Sequence, residues 1–389
     1  MAKQYYLLIL YLLFLRCWNI KPLGYIGPDI WLIALFVYLF LGTFFYKTSD
    51  YKFDRRYYIP IGCIFAGIIL SMFTVSFFYN QTFTQSIITY RTQYLILTPI
   101  FLAKIAPSRE DIMSSLVKFS LLYCLFFTLK YLDPSLFVFN NDETVMTLST
   151  IDEAMLDGFS LLTIPLYYYL QKSDNIFSAK QLAYIIFLLT LIFLIQNRST
   201  LFPVVLLTGF MILRMKSRLK YVLISLTAVV LVVYAIDIIN DLIEETQKQL
   251  ADTDYNRNKA FTYFLYKYSP SIWCDIFGNG FLSSHSTSVM AKLQKAGIIN
   301  SDLGFIGYWS QFGIIPIIAF AYIYIGALVR KNIPIYLRLI SIQTLICGLT
   351  ISYFGSAVHM LFFIVFYYLY NLEFSAERYE YTWDSGSRL

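Results

Sequence analysis

The chain has 389 residues, 58% of them hydrophobic and only 14% charged, with a mean hydropathy of +0.61. Soluble domains carry about a quarter charged residues, so this composition sets aside an ordinary water-soluble enzyme and makes lipid the solvent to reason about. The net charge of +6 falls in short segments between apolar runs, which is not a nucleic-acid footprint.

In chain order, the apolar runs predict an all-α, polytopic transmembrane bundle of about twelve spans. They lie at 5–21, 30–46, 57–79, 84–103, 112–132, 154–171, 181–196, 199–213, 221–240, 302–329, 336–354 and 358–371. Crossing the hydrocarbon takes about 20 helical residues, and the seventh, eighth and twelfth runs are the short ones. Residues 1–4 lead into the first run without a small-residue cleavage site, so it reads as a retained span rather than a signal peptide.

Basic residues give these spans a direction. Lys47, Lys52, Arg55 and Arg56, then Lys104 and Arg109, then Lys172 and Lys180, fall in alternate loops. Arg214, Lys216, Arg218 and Lys220, and then Arg330, Lys331 and Arg338, continue the alternation. Between them, segment 133–153 has no basic residue and five acids, and the turn at 196–199 has only Arg198. Cytoplasmic loops are the Lys- and Arg-rich ones, so both termini are expected in the cytoplasm. The expected organisation is a bundle of about nine spans over 1–240, an extracytoplasmic loop with short helices over 241–301, about three spans over 302–371, and a cytoplasmic tail over 372–389. Many of the 34 Tyr and 35 Phe sit at run ends, where an interfacial belt belongs.

The five cysteines make no CxxC or other metal spacing, and His285 and His359 are the only histidines. Neither a disulfide framework nor a metal site is expected, and no cofactor.

Several polar positions need a reason. Arg91 lies in Thr-Tyr-Arg-Thr-Gln at 89–93, a few residues inside the fourth span from its outer end. An intramembrane Arg is costly unless paired or hydrated, so it either braces the bundle and snorkels or faces a polar site. Arg198 sits in Gln-Asn-Arg-Ser-Thr at 196–200, a tight outer turn. An interfacial anchor is the ordinary reading, yet five donors on a planar cation also suit a phosphate. Arg257, in Asp-Tyr-Asn-Arg-Asn-Lys at 254–259, reads alone as a solvated charge. About twenty residues on comes Phe-Gly-Asn-Gly-Phe at 277–281, where Gly278 and Gly280 allow close backbone approach to a ligand or a neighbouring helix. His285, in Ser-Ser-His-Ser-Thr at 283–287, is either surface or a general base suited to neutral pH. Asp302, with Ser301, reads first as the N-cap of the tenth span, whose Gly304, Gly307 and Gly313 permit tight packing. Asp157 and His359 are explained equally well by core hydrogen bonds. No internal repeat of the inverted-repeat transporter kind is present.

Taken in order, four stretches give the chain a resemblance to the bacterial O-antigen and exopolysaccharide polymerases (Wzy type), within the superfamily that includes O-antigen ligases. Asn-Arg-Ser-Thr at 197–200 resembles the family's Arg segment at an outer helix start, and Gly209 completes an Arg-x10-Gly spacing. Arg257 with Gly278 and Gly280 is similar to the Arg and Gly-x-Gly element of the family's large loop. His285 with Gly297 resembles the His and Gly element, with Ser286 where Asn is customary and Lys295-Ala296 where a Glu would precede the glycine. The run from Asp302 through Gly313 is similar to the helix that follows.

The resemblance implies a GT-C-like membrane glycosyltransferase in the bacterial inner membrane, acting on undecaprenyl-diphosphate-linked glycan donor and acceptor at the outer face. It implies Arg198 and Arg257 at the diphosphate and His285 as the base, with Asp302, Gly278 and Gly280 in support; Arg91, from its own place in the fourth span, is expected as a deeper third cation. Neither metal nor cofactor is implied; a chain-length regulator and a flippase are the partners to expect, and nucleic acid is not. An O-antigen ligase shares the same pattern. A flippase or secondary transporter is the rival from another class, but it would concentrate ionisable residues at the bilayer midplane.

Overall fold

Where they are described, the apolar runs are helical, the conformation in which one segment satisfies its own backbone N–H and C=O groups. The computed structural model describes residues 2–15, 28–46, 53, 55–133, 158–175, 178–195, 198–217, 220–225, 256–281, 303–349 and 357–386. Among these residues the chain is all-helical, with no strand.

The first half contributes α1 (Lys3–Phe14), α2 (Pro28–Phe45), α3 (Arg55–Tyr79), α4 (Phe83–Thr89), α5 (Thr98–Ile105) and α6 (Arg109–Leu132). After these come α7 (Thr163–Asn175), α8 (Ala179–Ile195) and α9 (Arg198–Arg214). Two short helices, α10 (Asn256–Tyr266) and α11 (Ile272–Phe277), fall within 241–301. The last part holds α12 (Gly304–Phe312), α13 (Ile314–Val329), α14 (Ile335–Cys347) and α15 (Ala357–Gly386). Two of these, α3 and α6, are long and apolar enough to cross a membrane by length and composition, and shorter apolar helices accompany them.

Three expected spans differ in form. The fourth is three pieces, α4, a 3-10 turn over Arg91–Leu97, and α5, which has Pro99 in its first turn. Proline has no N–H and disfavours helix in the residue before it, so the chain changes helix type there. The tenth breaks at Gly313, whose φ of +77° lies outside the right-handed region, with Pro316 three residues on. The sixth opens with a 3-10 turn over Phe159–Leu162 before α7. The ninth run is described only to residue 225.

One end of the bundle gathers segments rich in basic residues. Lys3 Nζ donates to the Ala106 carbonyl at 2.6 Å, and Tyr368 to that of Pro107 at 2.9 Å. Arg109 pairs with Glu373 at 3.1 Å, the Tyr336 N–H donates to Gln171 at 2.9 Å, and the Lys216 N–H to Asp174 at 2.6 Å. The start of α6, the ends of α7, α9 and α13, the start of α14 and the 371–373 stretch of α15 therefore lie together. At the opposite end the tail of α3, residues 80–90, 268–281 and the α12 to α13 break meet.

The core between these ends is aromatic and aliphatic. Tyr6 and Tyr38 stack with centroids 4.5 Å apart and exchange hydroxyl-to-carbonyl hydrogen bonds at 3.0 and 3.1 Å. Trp31 donates to the Leu13 carbonyl at 2.6 Å, Tyr57 to that of Pro99 at 2.8 Å, and Tyr367 to that of Tyr57. Each of these hydroxyls and the indole thus ends on a carbonyl of another helix, which is where a polar tip in an apolar core is least costly.

Candidate functional site

The segment around Gly278 and Gly280 is non-helical backbone packed into the bundle, so each of its polar groups has to be satisfied locally. Ser271 caps α11, its hydroxyl accepting the Trp273 N–H at 3.4 Å. The helix stops at Gly278, where φ turns to +87°, and Gly280 follows at +71°. Both values favour glycine, which has no Cβ to clash.

The partners of this loop are the loose ends of another helix. Breaking at Gly313 leaves the last carbonyls of α12 without intrahelical donors. The Asn279 N–H donates to the Ser310 carbonyl at 2.8 Å and the Gly280 N–H to that of Gln311 at 2.7 Å. The Phe281 N–H donates to the Tyr90 hydroxyl at 2.8 Å. Thr74 of α3 donates to the Gly278 carbonyl, and Gln81 Nε2 to that of Phe281 at 3.2 Å.

The Asn279 side chain, fully buried, completes the network. Its carbonyl accepts from Tyr79 at 2.9 Å, and its amide donates to Ser269 at 3.0 Å and to the Ser310 carbonyl at 3.1 Å. Tyr90 is also fully buried and lies 3.1 Å from the Ser71 hydroxyl. Its ring meets Phe281 and Phe312 edge-on at 5.7 and 5.9 Å. The loop, α3, residue 90 and the α12 to α13 break therefore form one hydrogen-bonded junction.

A Cβ on Gly278 would lie 2.2 Å from the Gln311 carbonyl oxygen, and one on Gly280 1.9 Å from a Val75 methyl. The close approach that these glycines permit is thus to neighbouring helices. Beside the junction an apolar groove of about 740 Å³ runs between α3 and α11, lined by Phe73, Phe77, Trp273 and Phe277 among others.

Arg91 follows Tyr90 but turns to α2, where Nε meets Asp29 at 3.3 Å with both side chains partly exposed. The 3-10 turn there separates successive side chains by a third of a revolution, so Tyr90 and Arg91 address different neighbours. Arg198 and Arg257 fall in the first turns of α9 and α10; their side chains lie outside the described residues, as do His285 and Asp302. The α9 start is at the opposite end of that helix from the Lys216 contact to Asp174, and α10 leads into Tyr268, which accepts from Tyr79 at 3.1 Å. The α9 start is thus away from the basic end, and the end of α10 joins the glycine junction.

Sequence reading singled out the two glycines and missed the polar side chains that hold them: Ser71, Thr74, Tyr79, Gln81, Tyr90 and Asn279. Ser71 and Thr74, three apart in an apolar run, were the available signal, because that spacing puts two hydroxyls on one helix face. Near the junction Cys274 is buried, and its thiol is pushed up to about 11, first by burial and then by Asp275. Among the described residues, no group of three or more His, Cys, Asp or Glu is placed to hold a metal ion. No protein-family model matches the chain, and no curated protein matches it at a significant level.

Proposed function

We propose that this chain is a polytopic membrane glycosyltransferase that polymerises undecaprenyl-diphosphate-linked repeat units into surface polysaccharide, with the glycine junction facing the outside of the cell. The observation that carries the reading is the junction itself. Asn279 and Gly280, in the loop that follows Arg257, are bonded to the helix that follows the His285 stretch, at the end away from the basic segments. Two of the four resemblance stretches, the Gly-x-Gly loop and the helix that follows, are thereby adjacent.

A membrane setting is supported by the outward side chains. Ile30, Phe44, Phe45, Phe77, Leu213 and Val329 are all at least two-thirds exposed on predominantly apolar helices. Soluble surfaces do not carry so many large apolar groups together, whereas lipid accepts them without cost. The collected Lys and Arg at the other end support a cytoplasmic assignment of that end.

In the proposed reaction the bond from the donor's anomeric carbon to the diphosphate oxygen breaks, and an acceptor hydroxyl forms the new glycosidic bond. His285 takes the hydroxyl proton, a step worth roughly a hundredfold to ten-thousandfold. Undecaprenyl diphosphate leaves with the electron pair, and Arg198 and Arg257, with Arg91 as a third cation, stabilise that charge more in the transition state than before it.

The test is the polysaccharide of cells carrying R198A, R257A or H285A chains at normal membrane level. Loss of long polymer with single lipid-linked repeats retained is expected. Normal polymer in all three refutes the assignment, and lipid-linked polymer accumulating in a deletion identifies a ligase instead.

A further inference from the structure

A second cavity of about 360 Å³, lined by Arg109, Glu110, Gln171 and Lys172 together with Tyr168, Pro334 and Tyr336, opens at the basic end of the bundle, where α6 begins, α7 ends and α14 begins. We propose that it binds a phosphate group, from a phospholipid headgroup or from a soluble phosphate.

Arg109 lines it and is held in place from the side. Its Nη1 donates to Glu373 at 3.1 Å, while Nε and Nη2 share Glu110 at 3.4 and 3.3 Å. Two of the five guanidinium N–H groups remain. Glu373, on α15, has a side chain only 17% exposed and is committed to this pair. Gln171 uses its carbonyl on the Tyr336 N–H at 2.9 Å, which leaves its amide N–H groups as donors.

Lys172 follows, exposed, with its ammonium 5.9 Å from the Tyr168 ring centre. Among the described residues it has no carboxylate partner. The groups left over around the cavity are therefore donors and cations, those of Arg109, Gln171, Lys172 and the Tyr168 hydroxyl. The opposing charges are Glu373 and Glu110, the latter 71% exposed and screened by water at the rim; both are engaged with Arg109, which leaves Lys172, among the described residues lining the cavity, as the cation without a carboxylate. A phosphate offers only acceptors and charge, which is the complement of this set.

Basic pockets between helices on the cytoplasmic side of a membrane suit anionic headgroups. That lipid source rests on the membrane reading above; the soluble source does not, and neither depends on the polymerase assignment.

The purified full chain in a neutral detergent is acetylated with an N-hydroxysuccinimide ester, with Lys180 of the neighbouring helix as the exposed reference. Phosphatidylglycerol, phosphatidylcholine and inorganic phosphate are added separately. Selective protection of Lys172 by either phospholipid identifies a headgroup site, and protection by inorganic phosphate alone identifies a soluble ligand. Native mass spectra of K172Q should then show the protecting species retained about tenfold less, the factor that 1.4 kcal/mol conveys. Protection of neither lysine, or of both equally, overturns the proposal. The footprint on the unaltered chain decides the matter even where K172Q folds poorly.

Discussion

The backbone N–H of Phe281 ends on the hydroxyl of Tyr90 at 2.8 Å, joining positions 191 residues apart. The bond matters because Tyr90 is fully buried and Phe281 packs against the core. A peptide N–H in a non-helical loop has no partner of its own, and a buried tyrosine hydroxyl has no water. Each satisfies the other.

Tyr90→Phe should therefore destabilise the junction although it keeps the ring. The half-buried Phe281 N–H would lose its partner, which costs up to about 1–3 kcal/mol. A lowered thermal unfolding midpoint in detergent is expected; an unchanged midpoint would show that the loop is not held through this hydroxyl.

The glycines separate structure from function. Gly278→Ala and Gly280→Ala combine a positive φ with a Cβ that meets backbone or side-chain atoms at 2.2 Å or less. Both should lower the folded yield, by a cost of about 1–3 kcal/mol for the strained backbone alone. Gly209 is the contrast, because a Cβ there meets nothing within 4 Å. Gly209→Ala should leave stability level or raise it by about 0.4–1 kcal/mol. Loss of polymer in that stable variant would give the Arg198 to Gly209 spacing a functional role.

Asp29→Asn tests the partner of Arg91. The pair is partly exposed, and such pairs contribute about 0–1 kcal/mol, so stability should hardly change. Arg91→Ala, if the proposed diphosphate role is right, should shorten the polymer while Asp29→Asn does not. Equal effects of the two would assign Arg91 to holding α2.

Cys274 gives a pH test. Its thiol titrates at about 11 against an ordinary 9, so at pH 8 the reactive thiolate is about a hundredfold scarcer than in an open cysteine. Raised affinity for the proton means that labelling should quicken only as pH climbs towards 11 or as the chain unfolds. Rapid maleimide labelling of the folded protein at pH 8 would contradict the burial of α11 against α3 and α12.

What sequence alone determined was the local physics. Apolar runs of helical length had to become helices, Gly278 and Gly280 had to mark backbone that other residues adopt poorly, and Lys and Arg had to collect in alternate segments. These properties are written along the chain, one neighbourhood at a time. Tertiary structure decided that Arg91 faces Asp29, that the tenth run stops at Gly313, and that its freed carbonyls at 310 and 311 are answered by the N–H groups of 279 and 280. Such pairings depend on which helix end is left unsatisfied and which distant segment packs beside it, and a hydropathy pattern carries no record of either.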